Sequence, residues 1–393
     1  VTDHFDLAIV GGGLIGAGAA RHAGSRPDAG RVAMIGPSEP PVRIDHAGPF
    51  ASHHDSGRIT RLLDSSPVWA ELAARSIREY SALESATGIR FHRPVGVLWA
   101  DDDPIGLDDL APGIGRYGAA FTRLPAEQAA LGYRWTFPVG HDIGLEGAPA
   151  GYIDPRRMRS AQLSAAEAAG VRLIEDVVDR IDLMRDQVRL EMRSGIDAVA
   201  SRVIVAAGAY TPALLRHVAD VPIVPIAAAV AKGEVSDPSA LAAMPAMVYR
   251  RGSDHTYDVY AVPPTQYPDG RWYLKIGVEP AEDVVLHGDG AVDDWMRSDA
   301  DAWRFDLEAA LSRFIPSIEF ARVEVSPCIY SRTARRHPII HHVAPNIVVA
   351  AGGNGRAAKS ADAIGALAAA LVIEGTWSDP LDRAVFSPWG PCA

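Results

Sequence analysis

Residues 5–10, Phe-Asp-Leu-Ala-Ile-Val, run mostly apolar into a cluster of glycines. A short apolar run that stops at glycine reads as a strand buried on both faces of a parallel sheet. Residues 14–23 are Ala-rich and favour helix, and 31–35 read as a second buried strand. This is a β-α-β opening of ordinary length. A long helix is expected over 67–87, with Leu72, Ile77, Tyr80 and Leu83 at helical spacing. Further on, a helix over 155–169 leads to a strand near 172–176. Residues 203–209 again run apolar into a glycine turn, and 347–351 form one more buried strand before a helix over 359–374. Between these units the pattern changes. Residues 91–150 and 225–330 are rich in Gly, Pro and Asp, with short strand-like pieces such as 95–99 and one helix around 293–314.

Strand-glycine-helix units at the start, middle and end predict a discontinuous α/β domain interrupted twice by a β-rich one. The boundaries are 1–90, 151–224 and 333–393 for the first, and 91–150 and 225–332 for the second. A length of 393 residues suits two domains. With 48% hydrophobic and 22% charged residues, a large core needs no staples. The net charge of −11 argues against a nucleic-acid partner. Only two cysteines occur, Cys328 and Cys392, too few for a disulfide framework, so a reduced, cytoplasmic protein is expected. The longest apolar stretch near the end, 363–373, is too short to span a bilayer, and the start lacks a signal-peptide pattern. No membrane association is expected.

Gly11-x-Gly13-x-x-Gly16 follows a strand and opens a helix. In a dinucleotide fold the first glycine makes the turn, the second admits the pyrophosphate, and the third lets helix and strand pack closely. The bland alternative is a Gly-rich turn that binds nothing. One feature departs from the fingerprint. Where an acid normally meets the ribose, at the end of the second strand, stands Gly36. Ser38 or Glu39 is the nearest substitute.

Three further segments choose among dinucleotides. Residues 51–61, Ala-Ser-His-His-Asp-Ser-Gly-Arg-Ile-Thr-Arg, resemble the flavin-loop segment of the monomeric sarcosine oxidase and N-methyltryptophan oxidase family. Residues 327–331, Pro-Cys-Ile-Tyr-Ser, resemble its flavin-attachment segment, and 351–359, Ala-Gly-Gly-Asn-Gly-Arg-Ala-Ala-Lys, its closing glycine turn. Their order and the chain length also match. The resemblance implies a Rossmann-like FAD-binding domain plus a β-sheet-rich substrate domain. It implies FAD joined through a thioether to Cys328; without the match, Cys328 would read as a small buried hydrophobe. It carries cofactor contacts onto Gly11, Gly13, Leu14, Ile15, Gly16, Ser38, His53, His54, Arg58, Val177, Gly208, Gly353, Asn354, Gly355 and Lys359.

The resemblance also implies an activity: oxidation of an amine, with an imine that hydrolyses and oxygen reduced to hydrogen peroxide. Arg61 and Lys359 match positions that grip a substrate carboxylate, chemistry suited to a guanidinium fork and an ammonium; the alternative is two surface cations. Arg58 matches a position beside the flavin ring. Tyr330 and Tyr260 match active-site tyrosines, Tyr260 less securely, with a core tyrosine as its alternative. Lys275 matches the lysine at which oxygen reacts, where an ammonium stabilises developing negative charge; the alternative is a strand lysine facing solvent. Glu279 stands where the sarcosine enzymes have histidine, and Thr333-Ala334-Arg335 where Thr-Pro-Asp is common, so a sarcosine pocket is not expected. Beside a substrate carboxylate an ionised Glu279 would repel, which suits a larger substrate bearing a cationic or hydrogen-bonding group; alternatively Glu279 points to solvent. The pairs His53-His54 and His341-His342 lack metal-ligand spacing and supporting carboxylates, so no metal is expected. The rivals are a flavin dehydrogenase using another acceptor, a non-catalytic flavoprotein subunit and, weakest, a pyridine-nucleotide dehydrogenase.

Overall fold

The computed structural model describes the chain except residues 1, 2, 41, 102–106, 108–112, 139, 251–256, 281, 289 and 390–393. Cys392 lies outside the described residues. The opening run forms the strand Asp3–Val10, the helix Leu14–Gly24 and the strand Val32–Gly36. Asp3–Val10 pairs in parallel with Val32–Gly36 on one side and with Asp197–Val205 on the other. Arg172–Glu175 adds in parallel beyond Val32–Gly36, and Ile347–Ala351 beside the end of Asp197–Val205. An antiparallel pair, Val178–Leu183 with Val188–Met192, and the strand Ile339–Ala344 complete eight strands. Val32–Gly36 and Ile347–Ala351 are buried at every position, as parallel strands covered on both faces must be.

The strands of the intervening stretches build a separate nine-stranded sheet. Ile223–Glu234 is its spine, paired with Val323–Thr333 on one side and with Trp272–Pro280 and Val284–Val285 on the other. Tyr257–Gln266, Ala246–Arg250, Val97–Asp101, Asp142–Glu146 and Phe121–Arg123 follow in that order. A small third sheet joins Arg58–Thr60, Gly151–Ile153 and His92–Arg93.

The expected helices over 67–87 and 155–169 are Pro67–Thr87 and Pro155–Ala168. The single helix expected around 293–314 is two, Ala291–Arg297 and Arg304–Phe314. Between them Ser298 Oγ donates to Trp295 O at 2.8 Å and accepts from Ala300 N at 3.3 Å, and Ala300 takes a left-handed φ of 56°. A serine hydroxyl that serves both neighbours competes with the helical ladder and turns the chain.

Candidate active site

At the glycine loop the backbone approaches itself more closely than any side chain allows. A Cβ on Gly16 would lie 1.9 Å from Gly11 O, and one on Gly36 would lie 2.5 Å from Gly12 N. Glycine at position 36 therefore has a packing reason. Gly11 has φ +109°, which favours glycine. Gly13 is different: a Cβ there would meet only His53 Nδ1, at 3.9 Å. The helix Leu14–Gly24 starts without a side-chain cap or an acid in its first turn. Its free N–H groups and positive dipole end suit an anion. Arg159 secures the loop by donating to Gly12 O. Glu39 also faces this space, its carboxylate paired to Arg156 at 2.6 Å and His53 at 3.2 Å.

Val323–Thr333 alternates strictly along its second half. Pro327, Ile329, Ser331 and Thr333 are buried and Cys328, Tyr330 and Arg332 half-buried, and the run from Cys328 to Arg332 lines the cavity. Because a strand's side-chain period is two, a one-residue slip would turn the cysteine away. Trp295 Nε1 fixes the backbone by donating to Cys328 O at 2.9 Å. The loop ending at Arg58 lies opposite. Arg58 donates to Ser52 O at 2.7 Å and lies 3.5 Å from Cys328 Sγ. Burial disfavours its charge, but Asp55, Cys328 and Tyr260 together outweigh that and keep it charged. The closing glycine turn docks on the same strand: Ser331 Oγ accepts from Gly353 N at 3.1 Å, and Asn354 Oδ1 accepts from Thr333 N at 3.0 Å.

Arg61 and Lys359 meet over Asp64. Lys359 Nζ donates to Asp64 Oδ2 at 2.8 Å, Arg61 NH1 to the same oxygen at 3.1 Å, and Arg356 NH1 lies 3.5 Å from Oδ1. Burial pushes the Asp64 carboxyl up, but Lys359, Arg61 and Arg356 together hold it well below the usual range. Burial, then Arg61, brings Lys359 down to about 8 against the pull of Asp64. The Arg61 guanidinium stacks 4.7 Å from the Trp99 ring centroid. The loop after Arg61 is held by the buried Glu146, which accepts from Leu62 N at 2.6 Å, from Leu63 N and from Trp99 Nε1 at 3.2 Å.

The third wall is the strand pair Tyr257–Gln266 and Trp272–Pro280. Its register puts Asp258 opposite Glu279, Tyr260 opposite Gly277 and Val262 opposite Lys275. Opposite residues share a face. Gly277 is required because the Tyr260 ring lies across it: a Cβ would come within 2.4 Å of the ring. Glu279 opens into the cavity. Water reaches it there, yet the protein on its other sides and Asp258 raise its carboxyl above the ordinary value. Lys275 is almost wholly buried and is not among the cavity-lining residues. Its Nζ donates to Asp55 Oδ2 at 2.7 Å and to Gly57 O. Burial and the nearby Arg58 lower it to about 8, against the pull of Asp55.

These walls enclose one continuous cavity of about 1660 Å³, running from Gly11–Gly13 past Cys328 to Lys359. A pocket for one drug-sized molecule occupies roughly 300–1,000 Å³, so this one has room for a dinucleotide and a substrate together. The chain matches the FAD dependent oxidoreductase family over residues 6–371. It belongs to that family. A monomeric sarcosine oxidase of Streptomyces avermitilis is 24% identical, with 96% of each chain covered. Among solved structures, NikD, an unusual amino acid oxidase essential for nikkomycin biosynthesis, superposes with a TM-score of 0.78 at 20% identity over 98% of both chains. L-proline dehydrogenase from P. horikoshii gives 0.76 at 16%, over 99% of this chain and 98% of its own. The family is the one that the three sequence segments pointed to, and the fold is that of this FAD-dependent family.

FAD fits what the chain offers: the side-chain-free cradle, the uncapped helix start and the cavity length. Gly11, Gly13, Leu14 and Ile15 line the cavity at the glycine loop, and His53, His54, Val177 and Gly208 line it too. Gly353, Asn354, Gly355 and Lys359 close the far end. Ser38 is a correction. It is exposed and off the lining, because the chain turns outward after Pro37, and Glu39 faces the cavity in its place. Gly16 packs beneath the loop and does not line the cavity. A carboxylate does stand beside the histidines, contrary to expectation: Glu39, His53 and His54 offer ligand atoms within 4.8 Å of one another. Arg156 already neutralises Glu39, and burial, then Arg159 and Arg156, disfavour positive charge at His53. That opposes a metal ion.

Sequence reasoning missed Asp55, Asp64, Glu146 and the role of Arg356. Asp64 lies three residues after Arg61, the only local signal it carried, and Arg356 sat unassigned inside the closing turn.

Proposed function

We propose that the chain oxidises an amine that carries a carboxylate, using FAD joined to Cys328. The observation that carries this reading is the cluster at Asp64. Three cations, Arg61, Arg356 and Lys359, share Asp64 as their ion-pair partner, so these direct pairs hold more positive than negative charge. Such a surplus in a partly dry site calls for an anion. The activities named for the relatives, on sarcosine and on amino acids, lie in this class.

When bound, FAD supplies the two-electron acceptor for a C–H bond beside nitrogen. The part built from 1–90, 151–224 and 333–393 would hold it, and that from 91–150 and 225–332 would wall the substrate. Arg61 and Lys359 orient the substrate by its carboxylate, and Trp99 and Glu146 keep Arg61 in place. Tyr260 and Tyr330 close the sides. Arg58 keeps a fixed positive charge 3.5 Å from Cys328 Sγ. The imine product hydrolyses in water, and in the oxidase reading oxygen leaves as hydrogen peroxide. Adding a panel of amines without oxygen tests this reading. Amino carboxylates should bleach the flavin and their decarboxylated counterparts should not; bleaching by neither class would end it.

A dehydrogenase reading has an observation of its own. Lys275, the matched oxygen-site lysine, is tied to Asp55 behind the cavity wall. An ion-paired ammonium stabilises new negative charge less than a free one. Reduced holoenzyme mixed with oxygen separates the two. In the oxidase reading Lys275→Met slows reoxidation by orders of magnitude and leaves anaerobic reduction nearly unchanged. Slow reoxidation in the wild type that the variant does not change supports the dehydrogenase.

A further inference from the structure

Glu279 and Asp258 stand directly opposite on neighbouring strands, and both line the cavity. Like charges so placed weaken a sheet. Local rules are broken in this way chiefly at functional sites. Glu279 makes no hydrogen bond or ion pair among the described residues. The arginines that act on it also have acid partners: Arg332 has Asp283 at 2.5 Å, and Arg356 and Arg61 share Asp64 with Lys359. The open carboxylate lies over the closing turn, where a Cβ on Gly355 would come within 3.8 Å of Glu279 Oε1. Gly355 precedes Arg356, so an acid wall abuts the cation cluster at Asp64. The end of the cavity is bipolar.

A bipolar site fits a ligand with charges of both signs. If the only cation were the reacting amine, an ionised Glu279 would hold it protonated. A protonated amine has no lone pair to release as the neighbouring C–H bond breaks. We propose that the substrate is an amino acid with a second basic nitrogen, its carboxylate on Arg61 and Lys359 and that second nitrogen on Glu279. The proposal rests on the carboxylate-binding reading above and names the substrate's other end.

The test uses the flavin-loaded enzyme and two series of probes of matched length: plain acids from propanoate to hexanoate, and the same acids with a terminal amine. Dissociation constants come from flavin difference spectra taken without oxygen. At least one aminated acid should bind tenfold or more tighter than its plain counterpart. Glu279→Gln should erase that gain and leave the plain acids bound at least as tightly. Glu279→Asp, which keeps the charge on a shorter arm, should retain a preference for an aminated acid. No gain in any member, or a gain that survives Glu279→Gln, overturns the proposal and leaves the carboxylate reading standing. Plain acids that do not perturb the flavin at all overturn both.

Discussion

Lys359 carries a charge that carboxylate binding needs and that its surroundings loosen. Burial and Arg61 bring it down to about 8. A bound carboxylate favours the charged form and so raises that value. Affinity for a plain carboxylate should therefore be flat below about pH 8 and weaken as pH rises through it, by up to about tenfold per unit. Below about pH 8 Lys359→Met should bind more weakly, by roughly 2–5 kcal/mol as for other buried charge pairs that lose a partner, and it should lack the step. Lys275 also lies at about 8, so the variant decides the assignment: a step that persists in Lys359→Met belongs elsewhere. The same shift affects stability. Folded Lys359 holds its proton less tightly than the unfolded lysine at 10.5. Its contribution to stability should rise with pH between about 8 and 10.5 and be least favourable below.

At the scale of elements, the chemistry follows from two periodicities. The period-two strand Val323–Thr333 brings Cys328, Tyr330 and Arg332 to the cavity wall together, and strand-glycine-helix units leave open backbone at the cavity's two ends. The second was legible in the sequence, because buried parallel strands are short apolar runs that end at glycine; the antiparallel strand Val323–Thr333 was reached only through the resemblance of residues 327–331. The attachment reading makes an element-level prediction. Acid-precipitated wild type should keep its yellow colour in the pellet, while Cys328→Ser should release it to the supernatant. Colour in the wild-type supernatant would remove Cys328 from that role and leave the strand's register untouched. What the sequence could not reveal is where elements meet. Asp64 matters because Lys359 arrives from 295 residues away, and Asp55 because Lys275 arrives from 220 away. No local pattern encodes such pairs. The break between Ala291–Arg297 and Arg304–Phe314 was hidden for a different reason: one serine and one left-handed alanine stop a helix that the surrounding residues would continue.

Across the whole molecule, the two large sheets are distinct, and the cavity is walled by residues of both: the glycine loop from one, the Cys328 strand and the Tyr260–Glu279 wall from the other. A ligand filling about 1660 Å³ between them binds the folded state and has no site in the unfolded one, so it stabilises by mass action. The attachment reading turns this into a test on stability alone. Where FAD is joined to the chain, added free FAD has nothing to bind, and the melting temperature of the wild type should not depend on it. In Cys328→Ser the cofactor exchanges with solution, and each tenfold rise in free FAD above its dissociation constant should add about 1.4 kcal/mol. With an unfolding entropy scaled to this chain length, that is about 2 °C per tenfold. Differential scanning fluorimetry over three decades of FAD reads the slope directly. A slope in the wild type equal to that in Cys328→Ser would mean that the cofactor is held by the cradle alone. No slope in either protein, with the variant's colour retained in the acid pellet, would mean that it is joined at another residue.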